Sequence, residues 1–443
     1  MDSTTPATPP SPVSFREALA FWWKLGWVSF GGPAGQIALM HEELVTRRRW
    51  ISEKRFLHAL NYCMVLPGPE AQQLATYIGW LLHGTRGGIA AGALFVLPSL
   101  FVLMALSWLY LAFGHLPALA AVLWGIKPAV VAIVLAAAWR IGKRTLKNSL
   151  LWALAGLSFL AVAVLDLPFP AVVLGAAAIG AVGGHLRPDL FRSGGGHAAG
   201  NAPHAPALID DTTPPPAHAR PDRRRLALTV LVGLGLFLGG TGLLLLAEDG
   251  RGLLGDLALF FSQAALLTFG GAYAVLPYVT DAAVGHYQWL STRQMMDGLA
   301  LGESTPGPLI MIVAFVGFVA GWASDPWLAV AGACVATFFT FLPSFVFILA
   351  GGPLVEATHD ELRLTAPLAA ITAAVVGVIL NLALFFGLHL AWPDTLFQGA
   401  VDLPALLLAA LALVALVRFE VGVVRLLGAC AAAGLAWQWL PQL

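Results

Sequence analysis

The stretch from Gly88 to Leu111 contains no Asp, Glu, Lys or Arg, and several other stretches of this chain are as apolar. About 20 apolar residues in a helix cross the roughly 30 Å hydrocarbon core of a bilayer. Helices are also one of the few structures that satisfy every backbone group in lipid. Composition agrees, with 58% hydrophobic and 11% charged residues, where a water-facing shell needs about 25–35% charged residues. A soluble enzyme is excluded. The charges sit in short clusters between apolar segments and sum to zero, which argues against a nucleic-acid partner. The expected fold class is an all-α polytopic membrane protein.

Cys63, Cys334 and Cys430 lie far apart in apolar segments; they form neither a disulfide framework nor a metal-ligand spacing and read as small buried hydrophobes. Residues 1–14, MDSTTPATPPSPVS, lack a basic stretch ahead of an apolar core and predict a disordered tail rather than a cleavable signal. Residues 187–225 are rich in Gly, Pro, His and Ser and predict a flexible linker. Its His197, His204 and His218 read as solvated residues, so no metal or other cofactor is expected.

Residues 30–69 and 269–308 align without a gap at an offset of 239. Identical pairs include Phe30/Phe269, Gly31/Gly270, Gly32/Gly271, Trp50/Trp289, Ser52/Ser291, Pro67/Pro306, Gly68/Gly307 and Pro69/Pro308, and further on Leu97-Pro98-Ser99 answers Leu342-Pro343-Ser344. The chain therefore reads as two related halves, 15–186 and 248–443, joined by the linker and one extra helix over 226–247. In each half the first two apolar segments are interrupted, by Phe-Gly-Gly and by Pro-Gly-Pro, residues that break helices.

Charge bias sets the expected topology. If all four broken segments are re-entrant hairpins, the 24 Lys and Arg divide into 20 on the cytoplasmic side, two outside (Arg251 and Arg293) and two at membrane depth (Lys24 and Lys127). That asymmetry follows the positive-inside rule. The extra helix then inverts the second half, so two inverted-topology repeats with broken helices are expected, the arrangement of many secondary transporters. The N-terminus and linker are expected on the cytoplasmic side.

Unwound backbone at membrane depth is tolerated where it lines a cavity or lies within protein. The breaks also expose helix N-termini, whose free N–H groups and positive dipole ends attract anions. Gly31, Gly32, Gly68, Gly270, Gly271 and Gly307 are accordingly candidate binding positions, with Gln36, Gln72, Ser304 and Thr305 as side-chain donors. Lys24 and Lys127 are the cations inside apolar segments, where a charge is by default a functional candidate. Snorkelling is the alternative for Lys24. Glu70 and Glu303 flank the Pro-Gly-Pro breaks and are candidate proton carriers; Glu70 is equally suited to stabilising its own helix start. Asn61, Gln73, His58 and His83 fit structural roles as well as binding. No nucleotide-binding loop, Rossmann turn, zinc HExxH or GxSxG elbow is present, so neither ATP-driven nor hydrolytic chemistry has an apparatus here.

The same residues carry a resemblance. FGGPAGQIALMHEELV, LPGPEAQQLATYIGW and FVLPS in the first half, and FGGAYAVLPYV, LALGESTPGPLIMIVAFVGFVAGW and FLPS in the second, resemble the chromate ion transporter family. The resemblance implies a bacterial-type plasma-membrane protein that exports chromate and confers chromate resistance. A related oxyanion such as sulfate and an anion channel on the same scaffold stay open as alternatives, as does a homodimer.

Overall fold

The computed structural model describes residues 10–191, 206–214, 216–247, 252–357, 365–393 and 396–439. The first half comprises α1 (Phe15–Val28), α2 (Gly32–His41), α3 (Glu53–Val65), α4 (Glu70–Phe113), α5 (Pro117–Thr145), α6 (Ser149–Ala163) and α7 (Phe169–Leu186). α8 (Arg223–Ala247) follows the linker. The second half comprises α9 (Leu253–Leu267), α10 (Ala272–Thr280), α11 (Thr292–Ser304), α12 (Ile312–Trp322), α13 (Pro326–Ala357), α14 (Thr365–Ala391), α15 (Leu403–Arg418) and α16 (Val423–Trp439). Among the described residues, six helices are long and apolar enough to cross a membrane: Glu70–Phe113, Pro117–Thr145, Phe169–Leu186, Arg223–Ala247, Pro326–Glu356 and Ala366–Ala391. The protein is an all-α polytopic membrane protein. Its outer face carries Trp152, Leu157, Leu174, Leu243 and Leu407, all exposed, as a lipid-facing surface requires.

The 44 residues of α4 would run about 66 Å if straight. The helix instead folds back on itself at His83 and Gly84, where φ is −137° and 64°. Gly79 meets Gly87 and Ala91, and Gly92 meets Thr76 and Gln72, so the two arms pack antiparallel through small residues, as membrane helices do. The second half repeats this with two helices, Gly317 of α12 lying against Gly332 of α13 and Gly321 against Leu328.

The broken segments also repeat in their irregularities. A π-helical turn occupies Glu42–Arg47 and another Asp281–His286, and each is followed by a left-handed residue, Arg49 (φ 52°) and Gln288 (φ 54°). Ser52 then caps α3 through the Arg55 amide, and Ser291 caps α11 in a reciprocal capping box with Gln294. Each of these positions stands 239 residues from its counterpart.

The halves interlock. α6 and α7 pack on α14, while α15 and α16 pack on α5, and α5 lies against α14. The apolar core joins α5 and α14 to the second half's broken helices, whereas α1, α3 and the first arm of α4 form a separate cluster around Trp22, Phe56, Leu74 and Tyr77. Arg55 of α3 and Glu356 of α13 form a 2.8 Å ion pair, and the Tyr77 hydroxyl donates to Glu356 at 2.6 Å, tying this separate cluster to the other half.

Three expectations need correction. Residues 206–214 and 216–219 of the linker are docked rather than flexible. Leu208 and Ile209 donate amides to the carbonyls of Arg49 and Trp50, Ser52 donates back to Ile209, and Arg55 reaches the Thr213 carbonyl. Apolar burial of Ala207, Ile209 and Ala219 offsets the ordering entropy. His218 is bonded to the Trp80 carbonyl at 2.8 Å; His197 and His204 lie outside the described residues. The end of the N-terminal tail is likewise engaged, Ser14 capping α1 and the Val13 carbonyl meeting His83. Residues 1–9 lie outside the described residues. Cys334 is exposed on α13 rather than buried, while Cys63 and Cys430 are buried.

Candidate functional site

The four breaks meet in two pairs. The Gly68 amide of the first Pro-Gly-Pro donates to the Thr268 carbonyl at 2.8 Å, and the Gly307 amide of the second donates to the Ser29 carbonyl at 2.8 Å. Each Pro-Gly-Pro is thus bonded to the residue just before the other half's Phe-Gly-Gly. Gln36 reinforces one of these crossings, its Nε2 donating to the Gly307 carbonyl at 2.5 Å and to the Ser29 carbonyl at 3.4 Å. Gln73 donates to the Pro67 carbonyl at 2.7 Å and to Ser344 Oγ at 3.3 Å.

Glycine at the centre of each Pro-Gly-Pro has two causes. Gly68 and Gly307 hold φ of 120° and 103°, a region that side chains strain to adopt. A Cβ on Gly68 would also run into Ser344, and one on Gly307 into Ser99. The two Leu-Pro-Ser segments therefore close on the breaks crosswise, and both serines are buried.

Four helices begin at this convergence. α2 starts after Gly31, α4 after Pro69, α10 after Gly271, and the turn leading into α12 after Pro308, and none has a side-chain cap. Elsewhere α1, α3 and α11 are capped by Ser14, Ser52 and Ser291, while α5, α7 and α9 start without a side-chain cap. First-turn N–H groups have no partner within a helix, so uncapped donors and dipole ends lie next to the two crossings.

The other candidates distribute unevenly. Gln72 donates to Thr76 Oγ1 at 3.0 Å, and the Oε1 atoms of Gln36, Gln72 and Gln73 are buried without a donor. Ser304 and Thr305, expected to donate to an anion, instead donate to the Leu301 carbonyl at 2.9 and 2.6 Å. Their hydroxyl protons close the last turn of α11, a competition hydroxyls often win at helix ends. Glu303 accepts from the Tyr273 hydroxyl at 2.7 Å, with Arg140 of α5 within electrostatic reach; Glu70, at the start of α4, is within reach of Arg144. Lys24 is exposed on α1 beside exposed Trp23 and Trp27, the placement of a snorkelling side chain rather than of a group at the breaks. Lys127 stands apart from the breaks too, 3.5 Å from Asp297.

The two halves share backbone but not environment. Gly31, Ala34 and Gly35 are exposed, whereas Ala272 and Ala274 to Pro277 are buried. Gly270 lies against Thr372, and Gly31 has no neighbour of that kind. Arg140, Arg144, Tyr273, Asp297, Ser99 and Ser344 have no site role in the sequence reading. The serines had a signal there, the repeated Leu-Pro-Ser, while the others are ordinary residues until packing places them.

The chromate transporter family model matches residues 16–181 and 255–435. The chain belongs to the chromate transporter family. Among relatives of this family, a chromate transport protein of Pseudomonas aeruginosa is 35% identical over 379 residues, 85% of this chain and 82% of that protein. A probable chromate transport protein of Synechococcus elongatus is 29% identical over 403 residues, 90% and 89% of the two chains. A chromate transport protein of Cupriavidus metallidurans is 28% identical over 411 residues, 92% and 89%. No solved structure matches the chain. As a member of a chromate transporter family the protein is a transporter, and the family is not an enzyme family. Both segments of the match contain a Phe-Gly-Gly, a Pro-Gly-Pro and a Leu-Pro-Ser, the motifs that build the convergence.

Proposed function

We propose that this protein exports chromate across the bacterial inner membrane and so confers chromate resistance, binding the oxyanion where the four breaks converge. The observation that carries this reading is the pair of reciprocal bonds, Gly68 to Thr268 and Gly307 to Ser29, which brings helix starts of both halves side by side, a setting that favours an anion. The glycines of the breaks contribute backbone rather than side chains, which suits a tetrahedral ion bearing acceptors on every side. Arg140 and Arg144 at the end of α5 draw anions to the cytoplasmic mouth.

The driving force needs no nucleotide. An inside-negative potential contributes about 2.3 kcal/mol per charge per 100 mV, so a dianion leaves with roughly 4.6 kcal/mol of help. The two halves act as inverted repeats that rock about the fixed site, with the N-terminus and linker in the cytoplasm. The exposure of the first Phe-Gly-Gly beside the burial around the second supports a carrier open to one side over a continuous pore. Glu303, and less directly Glu70, supply proton-binding groups beside the path.

The test is chromate flux from proteoliposomes of the purified protein under clamped potential, with sulfate as competitor. Saturable flux that rises with a potential of the expected sign is the predicted result. Folded protein that moves sulfate but not chromate overturns the substrate, and non-saturating flux without counterflow overturns the carrier in favour of a channel.

A further inference from the structure

A cavity of about 880 Å³ opens beside α5 and α11, away from the breaks, and its polar lining includes Lys127, Asp297, Arg293, His115, His389 and Asp402. Asp402 is already committed, accepting from Trp124 Nε1 at 3.1 Å and capping α15 through the Ala405 amide. Asp297 is not. Its Oδ2 accepts from the Tyr110 hydroxyl of α4 at 3.0 Å, but its Oδ1 is buried without a hydrogen-bond donor. The Lys127 ammonium stands 3.5 Å from that oxygen, at the outer edge of hydrogen-bonding distance. Lys127 and Asp297 are 18% and 2% exposed, so the pair lies in a weakly screened setting. Arg293, one turn back on α11, lies within electrostatic reach of both.

This is a loosely engaged pair with room beside it, and its two members come from different halves. We propose that Asp297 is a tethered competitor for an anion site at Lys127. An oxyanion leaving the breaks for the outside is received by the Lys127 ammonium in this cavity, and the Asp297 carboxylate then retakes the lysine and displaces it. A tethered carboxylate acts at an effective concentration of millimolar order, so dilute anion outside does not reload the site. The device makes release one-sided. It rests on the reading of the chain as an oxyanion exporter, and it adds a second anion site distinct from the breaks.

The probe is sulfate. Its binding to the purified full-length protein is measured by calorimetry for the wild type, Asp297→Asn and the Asp297→Asn/Lys127→Gln double variant. Chromate efflux is then followed against rising external sulfate. Removing the competitor tightens sulfate binding at least about tenfold and lowers the external sulfate that inhibits efflux by a similar factor. The double variant loses the gain. Wild-type sulfate affinity in Asp297→Asn, or a gain that survives Lys127→Gln, overturns the proposal. If Asp297→Asn does not fold, Lys127→Gln alone decides it: the external sulfate needed to inhibit efflux then rises, and an unchanged requirement overturns the idea. The binding arm is independent of flux, so absent chromate transport by the wild type refutes the exporter reading while the competitor is still judged by calorimetry.

Discussion

The Gly307 amide lies 2.8 Å from the Ser29 carbonyl, a hydrogen bond between residues 278 positions apart in different halves of the chain. Its counterpart joins Gly68 to Thr268. These bonds supply partners for backbone that Pro-Gly-Pro leaves outside any helix, which lipid would not satisfy. They also join each Pro-Gly-Pro of one half to the segment that enters the Phe-Gly-Gly of the other.

Alanine at either glycine tests this arrangement. Gly68→Ala and Gly307→Ala place a side chain at a left-handed position, at about 1–3 kcal/mol of strain, and against Ser344 or Ser99. We expect chromate flux to fall by at least about tenfold. Gly235→Ala in α8 is the control, because a Cβ there meets nothing within 4 Å; its flux stays at the wild-type level.

The ion pair of Arg55 and Glu356 is 15% and 6% exposed, and removing one partner leaves the other charge buried. Breaking such a pair costs about 3–5 kcal/mol. Arg55→Ala and Glu356→Ala should each lower the thermal midpoint in detergent, and the double variant should lose less than the sum, since it strands no lone charge. Additive losses would show that the pair does not couple α3 to α13.

The docked linker is open to hydrogen exchange. The amides of Ser52, Leu208 and Ile209 are donors in the strap that joins residues 49–52 to 208–209, and they should exchange more slowly than solvent-exposed backbone. Ile209→Pro removes one donor and should release the others. Equal exchange in the wild type and the variant would mean that the strap does not form.

Glu303 is buried beside Tyr273, and its counterpart in the first half is Met64, so only one half offers an acid there. Glu303→Gln should flatten the pH dependence of flux while leaving transport measurable. A variant with the wild-type pH response would remove Glu303 from proton coupling.

Much of this site was legible in the chain itself. The Phe-Gly-Gly and Pro-Gly-Pro pairs mark helix breaks because proline lacks a donor and glycine tolerates left-handed backbone, properties that hold wherever the residues stand. Side-chain roles were harder to read. Ser304 and Thr305 looked like anion donors until their hydroxyls were found bonded to Leu301. Lys127 looked like a lone cation until Asp297, 170 residues away in sequence, was placed beside it.

Apolar runs, helix breaks and an internal repeat are local properties of the chain, so the sequence by itself determined a helical membrane protein of two related halves with paired interruptions. Which carbonyl each Pro-Gly-Pro amide reaches, which serine closes on which glycine, and which carboxylate neutralises Lys127 are contacts between residues distant along the chain. They depend on how α5 and α14 bring the halves together. A hydrogen bond or ion pair is set by distances of a few ångströms, and no local pattern encodes those distances across two halves that meet only after folding.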